Sequence, residues 1–218
     1  MRRDTARKTR IRHALILLLA LPAAAGAEGE GRDALVIDSS RSEVRFFLDA
    51  PRHGVEGRSR AVEGGVQVRG GALLDAQEGV ARLQVASLHA GNRLIDRNMR
   101  GALDADHHPE ILFEATRFEP AGEAAPEGAP WRGVVTGNLT VRGVARPAAF
   151  DVEATRQGAA LHATGSAVFT LTEFGVDPPR FMGFLRVKDW VRVEFDILAA
   201  PEADGGPPSP IATPPEAP

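Results

Sequence analysis

The chain has 218 residues, 43% of them hydrophobic and 25% charged, with a formal net charge of −3 and no cysteine. Lacking thiols, it has neither disulfides, thiolate metal sites nor c-type haem attachment, so an ordinary apolar core must hold it. Its acidic balance argues against a nucleic-acid partner, whose phosphates select basic faces.

The N-terminus predicts export. Arg2, Arg3, Arg7, Lys8, Arg10 and Arg12 surround or precede the apolar run at 14–21 (ALILLLAL), and Ala25-Gly26-Ala27 offers small residues to signal peptidase. This is a secretory signal over residues 1–27, shorter than the ~20 apolar residues of a spanning helix. Its loss removes six basic side chains and Asp4. Lys+Arg then falls from 26 to 20 and Asp+Glu from 29 to 28, a formal charge near −8. Residues 28–33 read as a flexible lead-in. At the other end, residues 200–218 carry seven prolines within "PEADGGPPSPIATPPEAP" and no aromatic, the composition of a disordered tail. The ordered domain is expected at 34–199.

Within it the hydrophobic period is two. "SEVRFFLDA" sets Val44, Phe46 and Leu48 against Arg45, Phe47 and Asp49, and "VARLQVASL" sets Ala81, Leu83 and Val85 against Arg82 and Gln84. "EILFEATRF" aligns Ile111, Phe113 and Ala115. "WRGVVTGNLTV" aligns Trp131, Gly133, Val135, Gly137, Leu139 and Val141. "PAAFDVEA", "ALHATGSAVFTL" and "DWVRVEFDIL" continue the habit, and with "ALVID" and "GGVQVRGGALLD" they make eight or nine strands. Short connections and one apolar face per strand mean antiparallel pairing in a closed barrel or a sandwich.

One segment differs. "NRLIDRNMRGAL" (92–103) spaces Ile95, Met99 and Leu103 four apart, an amphipathic helix able to plug or flank a barrel mouth. Arg93, Arg97 and Arg100 lie on its other side. They read as a solvated face paired with Asp96 and Asp104, or as cavity-rim contacts for an anionic head group.

Two features invite a functional reading. "DADHHPEILFEATRF" (104–118) gathers His107 and His108 among acids, but Pro109 forces an extended His108, and the other histidines are scattered. It reads as a helix-to-strand corner, with no metal and no catalytic group assigned. The small residues Ala163, Gly165 and Ala167, and likewise Gly133 and Gly137, either accommodate aromatic rings such as Phe46, Phe150 or Trp131 or leave a ligand cavity.

The order of motifs resembles the YceI-like family of periplasmic polyisoprenoid-binding proteins over about residues 34–199. The carrying pieces are "LVIDSSRSEVRFFL", "VASLHAGNRLIDRNMRGALDADHHPEILFEATRF", "GNLTVRGVARPAAFDV", "FTLTEFGVD" and "VKDWVRVEFDI". In the third, Gly137, Leu139, Thr140, Gly143, Val144, Arg146 and Pro147 fall in the family pattern. Departures occur at Met99-Arg100-Gly101-Ala102-Leu103 and at Thr172-Glu173 before Phe174-Gly175.

The resemblance implies an all-β, eight-stranded antiparallel lipocalin-like barrel with one short helix. It also implies a periplasmic, non-enzymatic carrier of a polyprenyl phosphate or ubiquinone-like lipid. No cofactor beyond that lipid is implied, and transient membrane contact and a monomer or homodimer are expected. The expected lining is Phe46, Leu48, Leu83, Val85, Ile111, Phe113, Trp131, Val135, Leu139, Phe150, Ala163, Ala167, Phe169 and Phe195, with Phe181, Met182 and Phe184 as an apolar lip. The competing readings are a filled barrel docking on a membrane redox or stress-response protein, and a hydrolase centred on the histidines.

Overall fold

The computed structural model describes residues 32–49, 54–69, 78–122, 129–178, 180–181 and 185–202. The expected signal segment, most of the proline-rich tail, and Met182 and Phe184 of the expected lip lie outside them.

The chain opens with β1 (Arg32–Ile37), β2 (Glu43–Leu48), β3 (Val55–Ser59), β4 (Val62–Arg69) and β5 (Glu78–Gln84). After the helix α1 (Arg93–Ala102) come β6 (Glu110–Pro120), β7 (Trp131–Val141), β8 (Val144–Gln157) and β9 (Ala160–Phe169). The pair β10 (Arg180–Phe181) and β11 (Leu185–Arg186) precedes the closing strand β12 (Val191–Ala200). Phe181 pairs in register with Leu185.

Ten of the twelve segments make eight staves, and β10 and β11 pair only with each other. β1 and β2 lie along one edge of β12, with Ile37 opposite Ala199 and Val44 opposite Phe195. Between them Ser39–Arg41 forms a 3-10 turn, capped where Asp38 accepts from the Ser40 N–H at 3.0 Å and the Ser40 hydroxyl at 2.6 Å. β4 returns along β1 and β3 along β2, so they too are one interrupted stave. The order β1-β4-β5-β6-β7-β8-β9-β12 then closes on β1, antiparallel throughout. This is the expected eight-stranded barrel with one helix.

The β7–β8 connection is a two-residue turn with Arg142 at φ 52° and Gly143 at φ 72°, the hairpin geometry whose twist matches the strands. Gly143 has a second reason to lack a side chain, because the His108 ring packs where its Cβ would stand. The wall parts along one end of β8. β8 pairs with β9 from Gln157↔Ala160 to Asp151↔Ser166, while residues 144–150 of β8 pair with β7 alone.

α1 starts at Asn92, whose side-chain oxygen accepts from Leu94 N–H at 2.8 Å and Ile95 N–H at 3.4 Å. Asp96 departs from expectation. Rather than pairing with the helix arginines it is buried, accepts the Ala90 N–H at 2.7 Å and faces His89 at 3.7 Å. That anchors the helix to the chain emerging from β5, where His89 bridges Arg58 of β3.

The histidine corner is a turn. Asp104 sits at φ 53°, its carbonyl accepts the N–H groups of His107 and His108, and its carboxylate receives His107 Nδ1 at 2.8 Å. That bond holds the exposed Asp104 carboxyl below, and the exposed His107 imidazole above, their ordinary ranges. Among the described residues no group of three or more His, Asp or Glu is placed to hold a metal.

Candidate ligand-binding cavity

Alternation sends one face of every stave inward, yet the inward side chains do not meet. Between two buried clusters lies a cavity of about 420 Å³. One cluster is built around Trp131, Leu139, Phe150, Val152 and Leu161, the other around Phe46, Val62, Leu83, Val85 and Leu88. The size falls in the ~300–1,000 Å³ range of small-molecule sites.

Phe46, Leu48, Leu83, Ile111, Phe113, Val135, Leu139, Phe150, Ala163, Phe169 and Phe195 all reach its wall. Phe150 is the hub, set edge-on to Phe113 at 5.0 Å, Phe169 at 5.5 Å and Phe195 at 5.7 Å.

Three of the residues expected on the lining stand elsewhere. Strand β5 ends at Gln84, so Val85 falls in a 3-10 turn, buried with its N–H on the Pro109 carbonyl at 2.8 Å. Trp131 is buried behind Phe118, stacked at 3.5 Å between ring centroids, and Phe118 takes the wall position. Ala167, opposite Val193, packs on the core but is too short to reach the space.

The helix arginines also stand off the wall. α1 contributes Ile95, Asn98, Met99 and Ala102, with Leu103 just beyond it, so its apolar stripe covers the cavity. Arg93 and Arg97 are exposed, and Arg100 donates to the Ala86 carbonyl at 3.4 Å.

The small residues divide, with Ala163 on the cavity wall and several glycines beneath rings. A Cβ on Gly165 would lie 2.5 Å from the Phe195 ring, and one on Gly133 or Gly57 would strike Trp131 or Phe46. These glycines seat rings. Gly79 is different: it borders the cavity, and a Cβ there would make ordinary contact with Ala115 at 3.4 Å and Val66 at 3.7 Å.

Polar side chains touching the cavity are Arg82, Asn98 and Arg117. Arg117 is largely exposed and bound to Glu119 at 3.1 Å. The charges gather outside, where Arg132–Glu153 at 2.7 Å, His162–Asp196 at 2.7 Å and Arg45–Glu194 at 3.2 Å ladder across the outer faces. Among the described residues no carboxylate, histidine, serine or lysine borders the space. Such a wall lowers the free energy of an apolar guest by excluding water and offers little for acid–base or nucleophilic chemistry.

Several wall residues were not foreseen. Val152, Ala154, Val193 and Ile197 share faces with Phe150 and Phe195 and were readable from alternation. Phe118 was not, because a bulge between Ala115 and Arg117 shifts the phase of β6 and turns it inward. Leu171, Phe174 and Val176 follow β9 outside any strand, so no period announces them.

No curated protein sequence matches the chain. Among solved structures, BcnA from Burkholderia cenocepacia is similar, with TM-score 0.64 and 23% identity, covering 75% of this chain and 99% of that one. A polyisoprenoid binding domain from Saccharophagus degradans, implicated in plant cell wall breakdown, gives TM-score 0.62 at 12% identity, covering 79% and 100%. The Campylobacter jejuni YCEI protein gives 0.56 at 14%, covering 71% and 88%. At such identities these likenesses speak to the fold. The YceI-like domain model matches residues 35–199, and with a match across most of its length the chain belongs to the YceI-like family.

Proposed function

We propose that this protein is an exported, periplasmic carrier that holds a long isoprenoid lipid, a polyprenyl phosphate or a ubiquinone-like molecule, inside its barrel, without catalysing its conversion. The observation that carries the reading is the apolar cavity inside the barrel, ringed by phenylalanines and bordered by no acidic side chain among the described residues. Each methylene moved there from water contributes about 0.8 kcal/mol, so a prenyl tail binds firmly without a directed hydrogen bond. The Saccharophagus relative, named for polyisoprenoid binding, supports the same ligand class. Periplasmic residence rests on the signal at residues 1–27.

The test is native mass spectrometry of protein purified from membrane-containing lysate without detergent, followed by solvent extraction. A co-purifying prenyl lipid is expected, together with saturable uptake of ubiquinone by stripped protein. A chain that emerges empty and takes up no prenyl compound would overturn the proposal.

A further inference from the structure

In the barrel wall of the proposed carrier, β8 and β9 part at a seam beyond the Asp151–Ser166 pair, where β8 runs on with β7 and β9 runs on with β12. What closes the cavity there is a turn. After β9 the chain forms a 3-10 turn at Leu171–Phe174, and Gly175 at φ 69° reverses it. Phe174 and Val176 are both 4% exposed, and with Leu171 they complete the cavity wall. Phe174 meets Phe169 edge-on at 6.2 Å.

Side-chain ties, rather than a strand ladder, hold this closure in place. The Thr172 N–H donates to Asp189 Oδ1 at 3.0 Å and its hydroxyl to Oδ2 at 2.6 Å, while Arg142 donates to the Gly175 carbonyl from the far side of the seam. Within the turn, Val176 N–H reaches the Leu171 carbonyl at 3.1 Å, so the turn can swing as a unit. All of the ties are solvent-exposed, which makes them cheap to break. Opening β7 from β6 or from β8 would instead strip a long row of backbone hydrogen bonds. Outside the seam, Val168 stands on β9 at 62% exposure, and Trp190, just before the residue that pairs with Phe169, at 37%. Apolar side chains thus stand on the surface beside the turn as well as on the cavity wall behind it.

We propose that this seam is the portal of the cavity, with Leu171–Val176 as its shutter, so that a prenyl chain enters sideways between β8 and β9. The proposal rests on the lipid-binding reading and adds the route. Thr172, Asp189 and Arg142 lie off the cavity wall and control exchange without touching the guest.

The experiment follows exchange of a fluorescent farnesol, labelled with nitrobenzoxadiazole, by stopped flow. It uses the full chain and the variants Asp189→Ala, Arg142→Ala and the near-isosteric Thr172→Val, with circular dichroism confirming that each is folded. Each variant should load and release the probe faster by roughly fivefold, the scale of one lost net hydrogen bond, with the bound amount at saturation unchanged. Wild-type rates in all folded variants would overturn the portal while leaving the carrier intact. A wild-type protein that takes up no probe would overturn the carrier, and the portal with it.

Discussion

The two halves of the barrel wall are built differently. β6 to β9 and β12 are strands of 10 to 14 residues, continuous apart from the bulge in β6. β1 to β5 are pieces of 5 to 8 residues, broken by 3-10 turns at Ser39–Arg41 and Val85–Ser87 and by Gly64 at φ 131°. The long half supplies the aromatic ledge of Phe113, Phe150, Phe169 and Phe195 and seats its rings over glycine. The broken half brings small residues such as Gly79 and Ala81 to the cavity and leaves room beside them.

Substitutions can break that contrast. The largest effect is expected at Phe150→Ala. The side chain is 6% exposed and touches three rings, so its loss should cost about 3 kcal/mol in urea unfolding and enlarge the space for a guest. An unchanged midpoint would mean the ledge is not structural.

Next comes a pair of identical changes in the two halves. Gly165→Ala drives a methyl into the Phe195 ring and should destabilise by about 1–3 kcal/mol. Gly79→Ala meets only ordinary contacts and should stay within about 0.5 kcal/mol of the parent. Equal costs in thermal melts would erase the distinction between ring-seating and cavity-facing glycines.

The smallest effect lies at the corner between β5 and β6. The raised His107 and lowered Asp104 attract one another only while both are charged. Their stabilisation is therefore present between the two folded-state pKa values. It is lost as pH rises through that of His107 and as pH falls through that of Asp104. Full exposure keeps it slight. NMR titration should place His107 above its ordinary 6.5, and Asp104→Asn should return it there.

Legibility in the sequence followed the same division. The long strands announced themselves: Val135 and Leu139 on β7 and Phe195 on β12 were set on the apolar face of their strands by alternation. So was the helix stripe of Ile95, Met99 and Leu103, which does cover the cavity. Where geometry slips by one residue, alternation misleads. The bulge at Thr116 carried Phe118 inward, and the end of β5 at Gln84 carried Val85 away. Buried polar anchoring leaves no periodic trace, so Asp96 read as a surface acid among arginines. The shutter residues Phe174 and Val176 lie in a turn whose inward direction depends on a tertiary tie from Arg142, some thirty residues earlier in the chain.

The meeting of Ile37 with Ala199 also sets the order in which the molecule can be made. The first stave waits for the last, so every shorter nascent chain is an open sheet with two hungry borders. Such distant pairing slows folding. Until that last strand is in place the ring cannot close, and its two borders remain open to pairing with another chain.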